Sequence, residues 1–335
     1  MKENKKIKEQ RAVYEPVSEP ALPMLLLAVC SAIALIALLL DRFVFPFSDN
    51  LLAPVIMQIV AVALPCYLAL MLLYPNEKPI SVAHRLGFRK ISVRYIFFII
   101  FTVPFMACVS LFFTMLFGDI PPVSEGFSLL GIFRVGYNDF SVSAPYLILC
   151  YALIPAVFEE ILLRSIVFGQ TRKVSLTTGV FLCAVATALL EFNLSIASLL
   201  SGLATGLILI FALYTTESVA SCIIVHFLFN LYRIFLEGNI VKYHAASYNN
   251  ILFAVVFLVA LLVSCALFAS ECARIYRADA KKVADGEQRS RPLDLSIKDL
   301  RRDLAHTFSF RPTLVCSIIF AACFVATAVI NIIVE

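Results

Sequence analysis

Long apolar runs, separated by short polar stretches, set the pattern of this chain. A helix that crosses hydrocarbon needs about 20 mostly apolar residues, and nine runs fit that requirement: 21–40, 51–74, 95–117, 144–169, 175–191, 196–214, 217–236, 250–270 and 313–334. They predict an all-α fold, a polytopic transmembrane helix bundle of about nine spans. The fifth and sixth runs depend on one short turn, Phe192-Asn193-Leu194-Ser195, to separate them.

The polar stretches order these runs across the bilayer. Lys2, Lys5, Lys6, Lys8 and Arg11 precede the first run, Lys78, Arg85, Arg89, Lys90 and Arg94 follow the second, and Arg172 and Lys173 follow the fourth. The connection 271–312 holds ten Lys or Arg, among them Arg274, Arg277, Lys281, Lys282, Arg301 and Arg302. The intervening connections are poor in base, with Arg42, Arg134 and Lys242. If every run crosses, the basic stretches share one side, and the positive-inside bias makes that side, with the N-terminus, cytoplasmic. The apolar run from Ala21 has no small-residue cleavage pattern after it, so it reads as a retained span rather than a signal peptide. Three regions follow: an N-terminal three-span region (1–143), a core carrying the polar groups (144–237), and a C-terminal two-span region (238–335) with the basic loop 271–312. Within that loop Leu293 to Leu304 suits either an amphipathic helix on the anionic leaflet or a solvated linker.

Composition agrees with this reading. With 335 residues, 61% apolar and 15% charged, and a mean hydropathy of +0.93, the chain is too apolar for a soluble globule. It reads as a multi-pass protein of the cell membrane whose first partner is the lipid bilayer. The net charge of +4 is explained by the basic loops and calls for no nucleic acid. Ten cysteines show neither metal spacing nor a disulfide framework, because nine lie inside apolar runs and Cys272 flanks one, so they read as small packing residues. Tyr, Phe and the basic loops must do the interfacial anchoring, since Trp is absent.

Against this background, ionisable groups inside the runs stand out. Each Asp, Lys or Arg at a helix centre costs roughly 2.5–3.5 kcal/mol on insertion scales, yet Glu159, Glu160 and Arg164 share the fourth run. Glu191 ends the fifth, and His226 and Asn230 lie in the seventh. At 1.5 Å rise per residue, Glu159 lies roughly 18 Å from the cytoplasmic end of its run, Glu191 roughly 25 Å and His226 roughly 15 Å. Ordinary tilts let these depths overlap, so one shared polar site is expected. Glu160 and Arg164, four apart, form the structural ion pair. Adjacent residues on a helix point about 100° apart, so Glu159 should face a different neighbour and be the carboxylate available for chemistry. Pro155 interrupts the ladder one turn upstream. His226 can serve as base or metal ligand, and Asn230, on the same face, can orient a water or hold an oxyanion. Each of these groups taken singly also suits interhelical hydrogen bonding.

Glu-Glu followed after three residues by Arg (Glu159, Glu160, Arg164), and His followed after three residues by Asn (His226, Asn230), resemble two motifs of one family. That family is the CAAX protease and bacteriocin-processing group of intramembrane proteases, which includes the type II CAAX prenyl endopeptidases and the lysostaphin-resistance-like proteins. The resemblance covers roughly 144–237. The family's intermediate motif, Phe followed after three residues by His, is replaced here by Thr187 and Glu191, and Ser165 follows Arg164 where Gly is usual. What the resemblance implies is a helical membrane endopeptidase in which Glu159 activates a water, the histidines assist or bind a metal, and Asn230 stabilises the oxyanion. Carboxylates also bind zinc, so Glu159, Glu191 and His226 offer a three-ligand open Zn²⁺ site.

Three functions follow. The first is hydrolysis of a peptide bond in a membrane-associated protein or peptide, with Glu159, Glu160, Arg164, His226 and Asn230 as the site. The second is a catalytically inactive relative serving as scaffold or bacteriocin-immunity protein, suggested by Glu191 in place of His. The third is a transporter using Glu159, Glu191 and His226 as a proton path, which lacks the internal repeats such folds usually carry.

Overall fold

A segment in hydrocarbon must satisfy its backbone N–H and C=O groups internally, and within one segment only a helix does so. The computed structural model describes residues 21–44, 52–117, 143–237, 239–240, 250–284 and 297–334, and among these no strand occurs. The helices are α1 (Ala21–Phe43), then α2, built from Ala53–Met57, a wide π-type turn Gln58–Ala63 and Leu64–Leu73. Next come α3 (Pro79–Arg85), α4 (Ile96–Phe117) and α5 (Ala144–Thr171). Then follow α6 (Leu176–Leu189), α7 (Ile196–Thr216) and α8 (Val219–Glu237). The described chain closes with α9 (Asn250–Ala284), α10 (Ile297–Ser309) and α11 (Arg311–Val334). The protein is an all-α polytopic bundle.

Two expectations change. Among the described residues eight helices are long and apolar enough to cross a membrane, and α6, expected as a span over 175–191, has only 14 residues. At 1.5 Å per residue it is about 21 Å long, short of a hydrocarbon core of about 30 Å. Ser175 caps its start by accepting from the Thr178 N–H, and the turn begins at Leu190. The eighth run also extends into the basic connection 271–312, where of the two readings the described residues bear out the amphipathic helix. α9 continues past residue 270 to Ala284, and α10 occupies Ile297–Ser309 as an amphipathic helix, with Leu304 and Phe308 against the core and Arg301 and Arg302 exposed. A helix propagates cheaply once begun, so the ladder outlasts the apolar pattern.

The α6–α7 hairpin positions Glu191. Phe192 takes a left-handed conformation at φ 49°. The Asn193 side chain accepts from the Ser195 N–H at 2.8 Å, and the Ser195 hydroxyl accepts from the Ser198 N–H at 3.1 Å, capping α7. The two helices then run in close contact: a Cβ placed on Gly202 would lie 2.8 Å from the Ala188 Cα, and one on Gly206 2.8 Å from the Ala184 Cα. Small residues one turn apart on facing helices permit that approach.

One continuous apolar core, from Met24 of α1 to Phe324 of α11, draws on all three sequence regions. α11 packs along α1, and α4 packs against α7, α8 and α9. One end of the bundle is tied by polar contacts. Arg89 pairs with Glu217 at 2.8 Å, the Ser218 hydroxyl donates to the Arg89 carbonyl at 2.7 Å, and Val219 N–H donates to the Gly87 carbonyl at 3.0 Å. Arg274 of α9 donates to the Arg94 carbonyl at 2.6 Å. The stretches 87–94, 217–219 and the lower part of α9 therefore meet at one end.

Candidate functional site

α5 carries the carboxylates on a locally altered helix. Pro155 has no N–H to give, and the ordinary helical segment Ile154–Glu160 lies between two π-type stretches, Ile148–Leu153 and Ile161–Phe168. Such wide turns are rare and recur at functional sites. They do not prevent the pairing expected from sequence: Arg164 Nη1 lies 3.1 Å from Glu160 Oε1, and neither side chain retains any accessible surface.

α8 lies against this segment and brings in the imidazole. His226 Nδ1 is 2.7 Å from Glu160 Oε1, and His226 Nε2 is 3.7 Å from Glu159 Oε2. The expectation that the adjacent carboxylates could not share a neighbour is therefore corrected. A helix does splay neighbouring side chains, but an imidazole presents nitrogens on two edges, and the ring of His226 meets one carboxylate with each. Glu160 is thus shared by a guanidinium and an imidazole. Glu159 and His226 keep 9% and 12% of their side-chain surface, so the edge between them remains reachable.

Asn230, one turn along α8, donates from Nδ2 to the Ala152 carbonyl of α5 at 3.4 Å, a long bond that uses one of its two amide hydrogens. Several polar atoms around the cluster have no hydrogen-bond partner among the described residues: Glu160 Oε2, Arg164 Nε and Nη2, and Ser165 Oγ. Arg164 is also the largest side chain buried to this depth, and its ion pair with Glu160 acts through charge without the angle of a hydrogen bond.

Glu191 is not part of this cluster. Its Oε2 accepts from the Ser198 hydroxyl at 2.7 Å, and its Oε1 lies 3.8 Å from Arg233 Nη1, while Arg233 Nε lies 3.5 Å from Glu237. Among the described residues no group of three or more His, Cys, Asp or Glu side chains is arranged to hold a metal ion. The donor set Glu159, Glu191 and His226 does not fit zinc here, and the shared proton path through the same three residues is not assembled. Depth along the helices gives the reason. His226 and Glu159 were placed at nearly one level and meet, whereas Glu191 was placed two turns deeper, which is the level that α8 reaches at Arg233. Arg233 and Glu237 were not singled out from sequence, although their spacing of four residues was the same signal that identified Glu160 and Arg164.

A buried Glu-Glu-Arg-His constellation held between two helices of a membrane bundle defines a class, the polytopic proteins with an intramembrane acid–imidazole site. Comparison with known families adds one finding: residues 141–232 match the family model described as type II CAAX prenyl endopeptidase Rce1-like. The matched segment contains Glu159, Glu160, Arg164, His226 and Asn230. No curated protein and no solved structure matches the chain.

Proposed function

We propose that the protein is an intramembrane endopeptidase that hydrolyses a peptide bond of a membrane-associated protein or peptide, using a water activated between Glu159 and His226. The observation that carries this reading is the ring of His226 seated between two carboxylates, at 2.7 Å from Glu160 and 3.7 Å from Glu159. Glu160, its charge balanced by Arg164, accepts a hydrogen bond from Nδ1–H and so fixes the tautomer that turns the Nε2 lone pair toward Glu159. Two acceptors separated by more than a hydrogen bond are bridged by one water, which they polarise together. The water oxygen attacks the peptide carbonyl carbon and its proton passes to Glu159. The tetrahedral intermediate then collapses, the C–N bond breaks, and the departing amine takes the proton from Glu159. Asn230 supplies an amide N–H to the developing oxyanion.

The test is cleavage of a membrane-anchored peptide library by purified protein, with Glu159→Gln as control. General-base catalysis contributes on the order of 10²–10⁴-fold, so the variant should lose that much turnover while keeping its fold. Equal turnover removes Glu159 from the chemistry.

One observation favours a second reading, that of a catalytically silent relative. The position where the family carries its other histidine holds Glu191, which is engaged with Ser198 and Arg233. On that reading the wild type cleaves nothing in the library.

A further inference from the structure

The charged groups two turns beyond His226 have no part in the chemistry described above, yet they continue the same face of α8. With 3.6 residues per turn, His226, Asn230 and Arg233 fall within about 60° of one another around the helix. Each meets a neighbouring element. His226 Nδ1 lies 2.7 Å from Glu160 of α5, Asn230 reaches the Ala152 carbonyl of α5 at 3.4 Å, and Arg233 Nη1 lies 3.8 Å from Glu191 in the α6–α7 turn. The guanidinium of Arg233 also faces Glu237 at 3.5 Å and lies 5.7 Å from the centroid of the Phe229 ring. Glu191 is held in turn, because its Oε2 accepts from the Ser198 hydroxyl in the first turn of α7 at 2.7 Å. The ordinary helix of α8 ends at Tyr232 and a wide π-type turn begins at Arg233, so this anchor falls where the ladder changes.

Stability does not account for these charges. Packed apolar residues often replace a desolvated ion pair at no loss, and Glu191, Arg233 and Glu237 keep only 17%, 14% and 11% of their side-chain surface. What charged partners add to an apolar contact is direction. His226 needs it: a twist of about 20° around the α8 axis carries an atom about 6 Å from that axis through about 2 Å, enough to break the 2.7 Å contact with Glu160. The 3.4 Å bond of Asn230 is a weak restraint on such a twist. Arg233, about 10.5 Å further along the axis, is fixed by two carboxylates and a ring.

We propose that Arg233 is a positioning residue: anchored to Glu191, it sets the rotation of α8 and so holds the His226 ring between Glu160 and Glu159. Glu191, which stands where the family carries a histidine, acts through Arg233 and not at the reacting atoms. The proposal rests on the endopeptidase reading given above, and within it a carboxylate at that position serves a site it does not touch.

The experiment uses the full chain in liposomes, labelled with ¹⁵N-histidine, and the library peptide that the wild type cleaves best. The chain has four histidines, His84, His226, His244 and His306, and the signal of His226 is the one missing from His226→Gln. In the wild type its Nδ1–H should show the strong hydrogen bond to Glu160. In Arg233→Met that signal should move toward the position of a water-exposed imidazole. The same variant should lower kcat roughly 10- to 100-fold, the cost of misplacing a reacting group by about 1 Å, while KM holds. Adding Glu191→Gln to Arg233→Met should lose nothing further, because the two side chains act as one unit. An unmoved His226 signal in Arg233→Met overturns the proposal. So does a raised KM with kcat kept, which would make Arg233 a substrate contact, and so does a further loss in the double variant. If Arg233→Met does not fold, Glu191→Gln, equal in size and still able to accept from Ser198, is read by the same signal and the same kcat and KM. Failure of the endopeptidase reading is separate: it appears as equal turnover by the wild type and Glu159→Gln, and the His226 signal still decides what holds the ring.

Discussion

Arg164 holds a full positive charge with 1% of its surface exposed, and the only arrangement that tolerates it is a carboxylate in direct contact, which Glu160 provides at 3.1 Å. Removing one partner of such a pair typically costs 3–5 kcal/mol. Arg164→Met should therefore destabilise the protein by about that much, whereas Glu160→Gln combined with Arg164→Met should lose less, because no lone charge remains buried. Thermal unfolding of both in detergent measures the difference, and equal losses would mean that the pair does not act as a unit. This pair was legible in the sequence because spacing on one helix fixes it. The sharing of His226 was not, since a helical wheel gives the direction of a side chain but not the two-sided reach of the ring it meets. Glu191 was misplaced for a related reason: apolar-run boundaries gave its depth only as overlapping with that of His226, and two turns of α8 separate the residue expected beside it from the one found there, Arg233.

At the scale of elements, the π-type stretches of α5 and the short α6 were the features that apolar patterning could not show. Patterning reports how much of a segment is apolar, not how its ladder is wound, and only Pro155 announced a disturbance. Contact between α6 and α7 depends on Gly202 and Gly206, where a side chain would come within 2.8 Å of the facing backbone. Gly206→Val should push the two helices apart and displace Glu191 from Arg233 and Ser198. The expected result is a lowered melting temperature, with a loss of about 1–3 kcal/mol as in other overpacked interfaces. Wild-type stability in that variant would show that the hairpin tolerates separation.

For the whole molecule, two of the basic stretches meet at one end of the bundle, where Arg89 pairs with Glu217 and Arg274 donates to the Arg94 carbonyl. Impermeant thiol labelling of single cysteines placed at Lys90 and Arg277, in a background without native cysteines, should modify both from the same face of sealed vesicles; opposite faces would contradict the packing of α9. The number of crossings was less legible, because α6 is apolar throughout yet only 14 residues long. The central claim is that water activated at Glu159 and His226 cuts a peptide bond. Its most direct test is cleavage of the library peptide in ¹⁸O-labelled water by wild type, Glu159→Gln and His226→Ala. The account predicts one solvent ¹⁸O in the new carboxylate from the wild type and at least a 10²-fold loss of product in both variants. Undiminished, labelled product from Glu159→Gln or from His226→Ala would contradict it.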